Sequence, residues 1–265
     1  MEDYFKHPAI SNSKLDWFRR SPKHFKYFQT HKQEEKPAYL VGSASHCVLF
    51  EPDKFKSVFH IIDESKRPNV NQSFAEKQNK KWREDIYEAY AHKSIITQEE
   101  YDKVMFMMEE LKSHDLFNEL VQGCEFEKEH YWKCPITGLD LKKKIDAESN
   151  DLIFDYKTTD DADPFIWQKK GWNYHYYRQA GFYTLNADKP FYFVVQEKSP
   201  PYGVSIHKCM PDMINYGKDK AMELLRKIKT HIEEDQWPGY EVKTPLASND
   251  LFFEFDIPGW VLQNM

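Results

Sequence analysis

Asp146, Asp155 and Lys157 are the residues whose types and spacing could do chemistry. Asp155 and Lys157 are two apart in the run LIFDYK, which reads as a strand. Their side chains then leave the same face, about 6–7 Å apart along the chain. Asp146 belongs to the preceding alternating segment. If Asn150 and Asp151 form a two-residue hairpin loop, Asp146 falls opposite Asp155, with Cβ atoms roughly 4.5–5.5 Å apart. Two carboxylates so placed suit a hard divalent cation such as Mg²⁺, or Mn²⁺. A lysine beside them puts fixed positive charge near a developing oxyanion, or positions an attacking water. Together they could hydrolyse a phosphodiester with metal assistance. As a bare pattern, Asp and Lys two apart make a common solvated ion pair. Leu152, Ile153 and Phe154 change the weighting, because charge in an apolar strand is costly unless paired or metal-bound.

The elements that must position these residues are legible from periodicity. Leu139 to Ala147 alternates apolar with charged residues, a period of two. Glu125 to Cys134 supplies a strand before it, and PFYFVVQEK and GVSIHK supply later ones. The first third reads as helical. Ser11 to Phe28 forms helices broken at Pro22, and Tyr39 to Phe50 forms another, with Leu40, Ala44, Cys47 and Val48 on one face. Small residues at Gly42, Ser43 and Ala44 would let that helix approach a sheet. Ser73 with Glu76 and Thr97 with Glu100 match the capping box. Ile96 and Tyr101 could add its apolar staple. Asp163-Pro164 predicts an N-cap with proline at the first helical position, and Gly171 the end of that helix. Helices are predicted over Tyr174 to Asn186 and Pro211 to Asp235, the latter with a stripe from Ile214 to Ile232. One more strand is read at Leu251 to Phe255. The sum is an α/β or α+β arrangement, a mixed central sheet flanked by helices. It divides as 1–120 mainly helical, 121–210 sheet core, and 211–265 C-terminal helix and tail.

Composition sets limits. In 265 residues, 40% hydrophobic and 16% aromatic content can fill a core. A net charge of -6 argues against a protein that coats nucleic acid by bulk charge, so phosphate contacts must come from local basic clusters. The candidates are Arg19-Arg20 with Lys23, Lys66-Arg67, Lys80-Lys81 with Arg83, and Lys142 to Lys144. Lys142 and Lys144 are the best of these, because they share a strand face with Asp146. Cys47, Cys124, Cys134 and Cys209 form no CxxC pair, which disfavours a zinc ribbon and predicts reduced, mostly buried thiols. No apolar run reaches the roughly 18 residues of a membrane span, and the first ten residues lack a signal-peptide core, so a cytoplasmic location is expected.

The segment KIDAESNDLIFDYKTT resembles the core motif of the PD-(D/E)XK nucleases, and several others resemble the exodeoxyribonuclease VIII (RecE) type of phages and prophages. ISNSKLDWFRRSPKHFKYF is similar to that type's N-terminal helix. VGSASHCVLFEPDKF resembles its histidine-bearing helix, HYW its first core strand, and YHYYRQAGFY the helix after the DxK strand. WPGY and IPGW near the end also match. The order is kept over most of the chain.

The resemblance implies a restriction-endonuclease-like core, with Asp146, Asp155, the Tyr156 carbonyl and His46 as metal ligands and Lys157 as the catalytic lysine. It adds Gln179 and Tyr183, four apart on one helix face, as residues lining the site. Glu127, or its rival Glu129, matches an acidic position on the first strand. Ile145 stands where the motif often has proline. The implied activity is a Mg²⁺- or Mn²⁺-dependent 5′–3′ exonuclease on double-stranded DNA ends. A single-strand annealing partner and a homo-oligomer are implied too. A repair- or CRISPR-associated relative remains open, though Cys209 alone follows Lys157, which disfavours an iron–sulfur version. So does a non-catalytic binding or inhibitory protein on the same fold.

Overall fold

The computed structural model describes residues 2–31 and 39–240. The helical N-terminal part comprises α1 (Glu2–Lys6), α2 (Asn12–Arg20), α3 (Pro22–Phe28), α4 (Leu40–Phe50), α5 (Phe55–Val58), α6 (Lys77–Ala89), α7 (Gln98–Ser113) and α8 (Asp115–Val121). Strands β1 (Phe59–Ile62) and β2 (Ser94–Thr97) pair in parallel within it, a small sheet that the sequence pattern did not reveal. Each strand is only four residues long, too short for alternation to register.

The main sheet is β3 (Glu125–Lys133), β4 (Asp140–Glu148), β5 (Ile153–Thr159), β6 (Phe191–Glu197) and β7 (Val204–Lys208), in that order. Only β5–β6 is parallel. Its crossover contains α9 (Pro164–Asn173) and α10 (Tyr176–Tyr183), and α11 (Pro211–Glu234) closes the described core. The expected mixed sheet flanked by helices is therefore present. Among the described residues no helix is long and apolar enough to cross a membrane.

Local signals explain most boundaries. Ser21 caps α3 by accepting from the His24 N–H, with Pro22 at the first turn. Thr97 and Glu100 form the reciprocal capping box. Asp163 accepts from the Phe165 and Ile166 N–H groups ahead of Pro164. Three expectations need correction. Glu76, not Ser73, caps α6, taking the Gln78 and Asn79 N–H groups itself. Gly171 lies inside α9, where a Cβ would touch Tyr176 and Trp167, so its use is packing rather than termination. α10 starts two residues later than expected, after His175 adopts a left-handed φ of 59°. The segment Leu251 to Phe255 and the IPGW match lie outside the described residues.

Two close approaches fix the helices that carry the site. At Gly42 a Cβ would stand 2.8 Å from Thr158 Oγ1, so α4 lies directly on β5. At the crossing of α10 and α11, a Cβ on Gly217 would be 1.9 Å from the Tyr177 carbonyl oxygen, and one on Gly181 2.2 Å from the Gly217 backbone. Backbone meets backbone there, and no rotamer change can make room. Gly217, Ala221 and Ile228 of the expected α11 stripe are buried with Met222 and Leu225, while Ile232 stays exposed. Gly217→Ala is expected to destabilise the fold by about 3 kcal/mol or more, at the upper end for overpacking. Urea unfolding measures it, and an unchanged midpoint would refute the backbone contact.

Candidate active site

The β4–β5 hairpin has the anticipated loop. Ser149 N–H donates to the Leu152 carbonyl, leaving Asn150 and Asp151 at the tip. Pairing runs Glu148–Ile153 and Ala147–Phe154, and then stops. The next positions in that register are Asp146 and Asp155. On the other side, β3 pairs Phe126 with Ala147 and Lys128 with Ile145, passing over Glu127 and Asp146. Glu127, Asp146 and Asp155 thus occupy one row across three strands, where both ladders break. Instead of a ladder bond, the Tyr156 N–H donates to Asp146 Oδ2 at 2.8 Å.

α4 brings His46 into the row. Its Nε2 lies 3.1 Å from Asp146 Oδ1 and its Nδ1 3.2 Å from Glu127 Oε1. His46, Glu127 and Asp146 each offer one ligand atom within 4.8 Å of the others. Glu127 reaches this place with a φ of 54°, a left-handed conformation inside a strand that costs a non-glycine residue about 1–2 kcal/mol. Lys144 pairs with Glu127 from β4. Glu129, the rival, accepts from the Tyr131 hydroxyl and takes no part.

Asp155 is 2% exposed. Gln179 of α10 donates to its Oδ1, and the Lys157 ammonium pairs with Oδ2. Asp155 Oδ2 thus has the Lys157 ammonium beside it, and Glu127 Oε1 faces the His46 ring. Tyr183 faces the same space, where burial, Asp155 and Asp146 hold its hydroxyl protonated, well above its ordinary pKa. The Tyr156 side chain points elsewhere, its hydroxyl donating to Gln196 Oε1 at 2.7 Å. His46, Asp146, Asp155, Lys157, Gln179 and Tyr183 therefore gather here, and Tyr156 meets them through its backbone N–H on Asp146.

Charge balance explains the titration. Burial raises Asp155, and Asp146 raises it further, to about 6. Burial also opposes ionisation of Asp146, but His46 and Lys157 outweigh it and hold Asp146 low. Burial disfavours His46 as a cation, yet Asp146 and Glu127 lift its pKa above the usual value. Burial raises Glu127 against the pull of His46 and Lys144. Lys157 stays cationic because Asp155 and Asp146 overcome its burial. Three buried or half-buried carboxylates and one imidazole, with His46, Glu127 and Asp146 offering ligand atoms to one point, fit a divalent cation.

Sequence reasoning missed Tyr176, whose ring lies 5.2 Å from the Lys157 ammonium. It also misjudged Lys142 to Lys144. Lys142 is 2% exposed and donates to the Tyr4 and His7 carbonyls. Lys143 is 1% exposed and donates to the Tyr183 carbonyl and Asn186. Burial lowers both to about 8. These lysines anchor α1 and the end of α10 and present no charge to a phosphate. Arg19 and Arg20 instead line a groove of about 590 Å³ with Lys220 and Lys227. Lys80 and Lys81 are exposed on α6, and Arg67 and Arg83 lie over the Phe74 ring. Cys47, Cys134 and Cys209 are buried and Cys124 half-buried, all as free thiols.

An acidic row at a broken antiparallel pair, with DxK on the second strand of the hairpin, defines a nuclease-like core of the PD-(D/E)XK kind. The chain belongs to the family described as a PDDEXK-like domain of unknown function (DUF3799), whose model matches residues 11–244. A crystal structure of a proposed exonuclease from Eubacterium rectale aligns with 98% of this chain and 94% of its own, at 14% identity and a TM-score of 0.56. That likeness shows a shared fold. A crystal structure of SSO0001 aligns with 72% of this chain and 88% of its own, at 13% identity and a TM-score of 0.28, too low to bear on the fold. No curated protein matches the sequence.

Two measurements follow from this geometry. Glu127→Gln is expected to weaken Mn²⁺ binding about tenfold or more, and Glu129→Gln to leave it unchanged. Equal effects in calorimetry would refute the assignment of Glu127. Bound metal must also displace protons from Asp155 and His46. Both carry raised pKa values, so both hold protons at low pH and lose them as pH rises. Mn²⁺ affinity is therefore expected to climb from pH 5.5 to 7.5, with proton release seen across buffers of different ionisation enthalpy. A flat profile would contradict it.

Proposed function

We propose that this protein is a metal-dependent deoxyribonuclease, and more narrowly an exonuclease on double-stranded DNA ends of the phage recombination type. The observation that carries the reading is the row Glu127–Asp146–Asp155 with His46 and Lys157 beside it, in a PDDEXK-like fold. The likeness to a proposed exonuclease supports the exonuclease part. The narrower type draws on convergence. His46 from the 41–55 segment and Gln179 and Tyr183 from the 174–183 segment meet at the KIDAESNDLIFDYKTT hairpin, as the resemblance requires. An annealing partner and a homo-oligomer belong to the same proposal.

Mg²⁺ or Mn²⁺ held by His46, Asp146, Asp155, the Tyr156 carbonyl and Glu127 would supply Lewis acidity and a water of lowered pKa. The chain does the rest. Lys157, fixed as a cation by both aspartates, sits where charge develops on the phosphoryl oxygens as a water oxygen bonds to phosphorus and one ester P–O bond breaks. Gln179 fixes the rotamer of Asp155. Tyr183, kept protonated, can donate to a phosphate oxygen but cannot act as a base near neutral pH.

Hydrolysis of linear DNA is expected in Mg²⁺ or Mn²⁺, but not in Ca²⁺ or excess EDTA. Full activity in EDTA would sink the metal mechanism, and equal cutting of closed circular DNA would sink the exonuclease reading. Lys157→Ala should lower turnover by roughly 10²-fold while metal still binds. His46→Ala should raise the metal concentration for half-maximal rate. Normal turnover in Lys157→Ala would mean that the lysine is structural.

A further inference from the structure

A cleft of about 360 Å³ opens beside the acidic row. Four of its walls, Lys144, Tyr176, Gln179 and Tyr183, belong to the site already described. The outer walls are of another kind. Tyr4 and Phe5 come from α1, and Tyr174 from the turn between α9 and α10. Phe5 is 70% exposed and Tyr174 64% exposed, two large rings left in water at the rim of a polar site. Neither is loosely mounted. Tyr4 is buried and Lys142 grips its carbonyl, with Phe5 edge-on to the Tyr4 ring at 5.4 Å. Tyr174 lies 5.8 Å from Tyr176, whose ring lies over the Lys157 ammonium. An aromatic path thus leads from the reacting lysine into the cleft.

The charges in the cleft are spent. Lys144 is paired with Glu127, and Asp16 accepts from the buried Arg178 at 2.7 Å. Among the described lining residues the one lysine is thus already paired, whereas Ser11, Ser13 and Asn12 offer polar edges. The chemistry suits a neutral, flat heterocycle with donors and acceptors on its rim, which is a nucleobase.

We infer that Phe5 and Tyr174 stack an unpaired nucleobase of the strand being cut, so that the substrate enters as a single-stranded or frayed end. The inference rests on the nuclease reading and deepens it. A paired base cannot reach a walled cleft without leaving its duplex. Duplex would then be held elsewhere, and the reacting phosphate would be presented to Lys157 by the neighbouring stack.

The test separates the cleft from the chemistry. A short single strand carrying 2-aminopurine at one end or the other is titrated with the full chain in EDTA, where no hydrolysis occurs. The wild type should quench the probe at one end several-fold. Phe5→Ala/Tyr174→Ala should lose the quench and bind about tenfold more weakly, the scale of one lost base–aromatic stack. Both rings are exposed, so the variant should keep its fold, checked by circular dichroism. An unquenched wild type at both ends, or an unchanged double variant, overturns the inference. Quenching without metal-dependent cleavage would leave the cleft standing and remove the nuclease reading. With Mn²⁺, replacing the end nucleotide by an abasic residue should slow the wild type about tenfold and the double variant hardly at all. Equal slowing of both also overturns it.

Discussion

Like charge held at close quarters is the constraint on which this structure turns. Glu127, Asp146 and Asp155 stand abreast on strands that lie roughly 4.8 Å apart. Buried carboxylates at that spacing repel one another strongly, and only counter-charge makes them tolerable. Lys144 and Lys157 answer two of them, and His46, whose hold on a proton is strengthened by Asp146 and Glu127, faces the third. The balance leaves Asp155 with a proton near pH 6 and His46 with one above its usual range. A divalent cation would supply the same two charges by displacing those protons. The site is thus poised for exchange between protons and metal, a property of its charge count rather than of any one ligand.

Holding such a row open requires rigid surroundings. The sheet breaks both flanking ladders at Asp146, and the lost bond is replaced by the Tyr156 N–H on the Asp146 side chain. Helix α4 can deliver His46 only because Gly42 lets it touch Thr158. Helix α10 can deliver Gln179 and Tyr183 only because Gly181 and Gly217 let α11 press against it. Arg178, 2% exposed, ties α10 to Asn12 and Asp16 of α2, and Lys143 binds its final carbonyl. Positively charged side chains that look like nucleic-acid contacts in the sequence are spent on holding helices in place. Those at Arg19, Arg20, Lys220 and Lys227 line a groove at the surface, where Glu223 pairs with both lysines and Asp16 with Arg19.

The sequence by itself determined the hairpin and much of the frame. Period-two alternation, a two-residue loop at Asn150-Asp151 and an apolar DxK strand were enough to set Asp146 opposite Asp155, because strand geometry and turn length are local. The break at Pro22 and the caps at Thr97 and Asp163 were legible for the same reason. Resemblance, not periodicity, pointed to His46, Gln179 and Tyr183. Tertiary structure decided the rest. It chose Glu127 over Glu129, since alternation puts both on one face and only a left-handed residue at 127 breaks the tie. It turned Lys142 and Lys143 inward, because carbonyls of α1 and α10, distant in sequence, offered them partners. It built β1–β2 from segments more than thirty residues apart and brought Phe5 and Tyr174 to one cleft. Each of these depends on what a side chain meets across the fold, and no pattern along the chain encodes that.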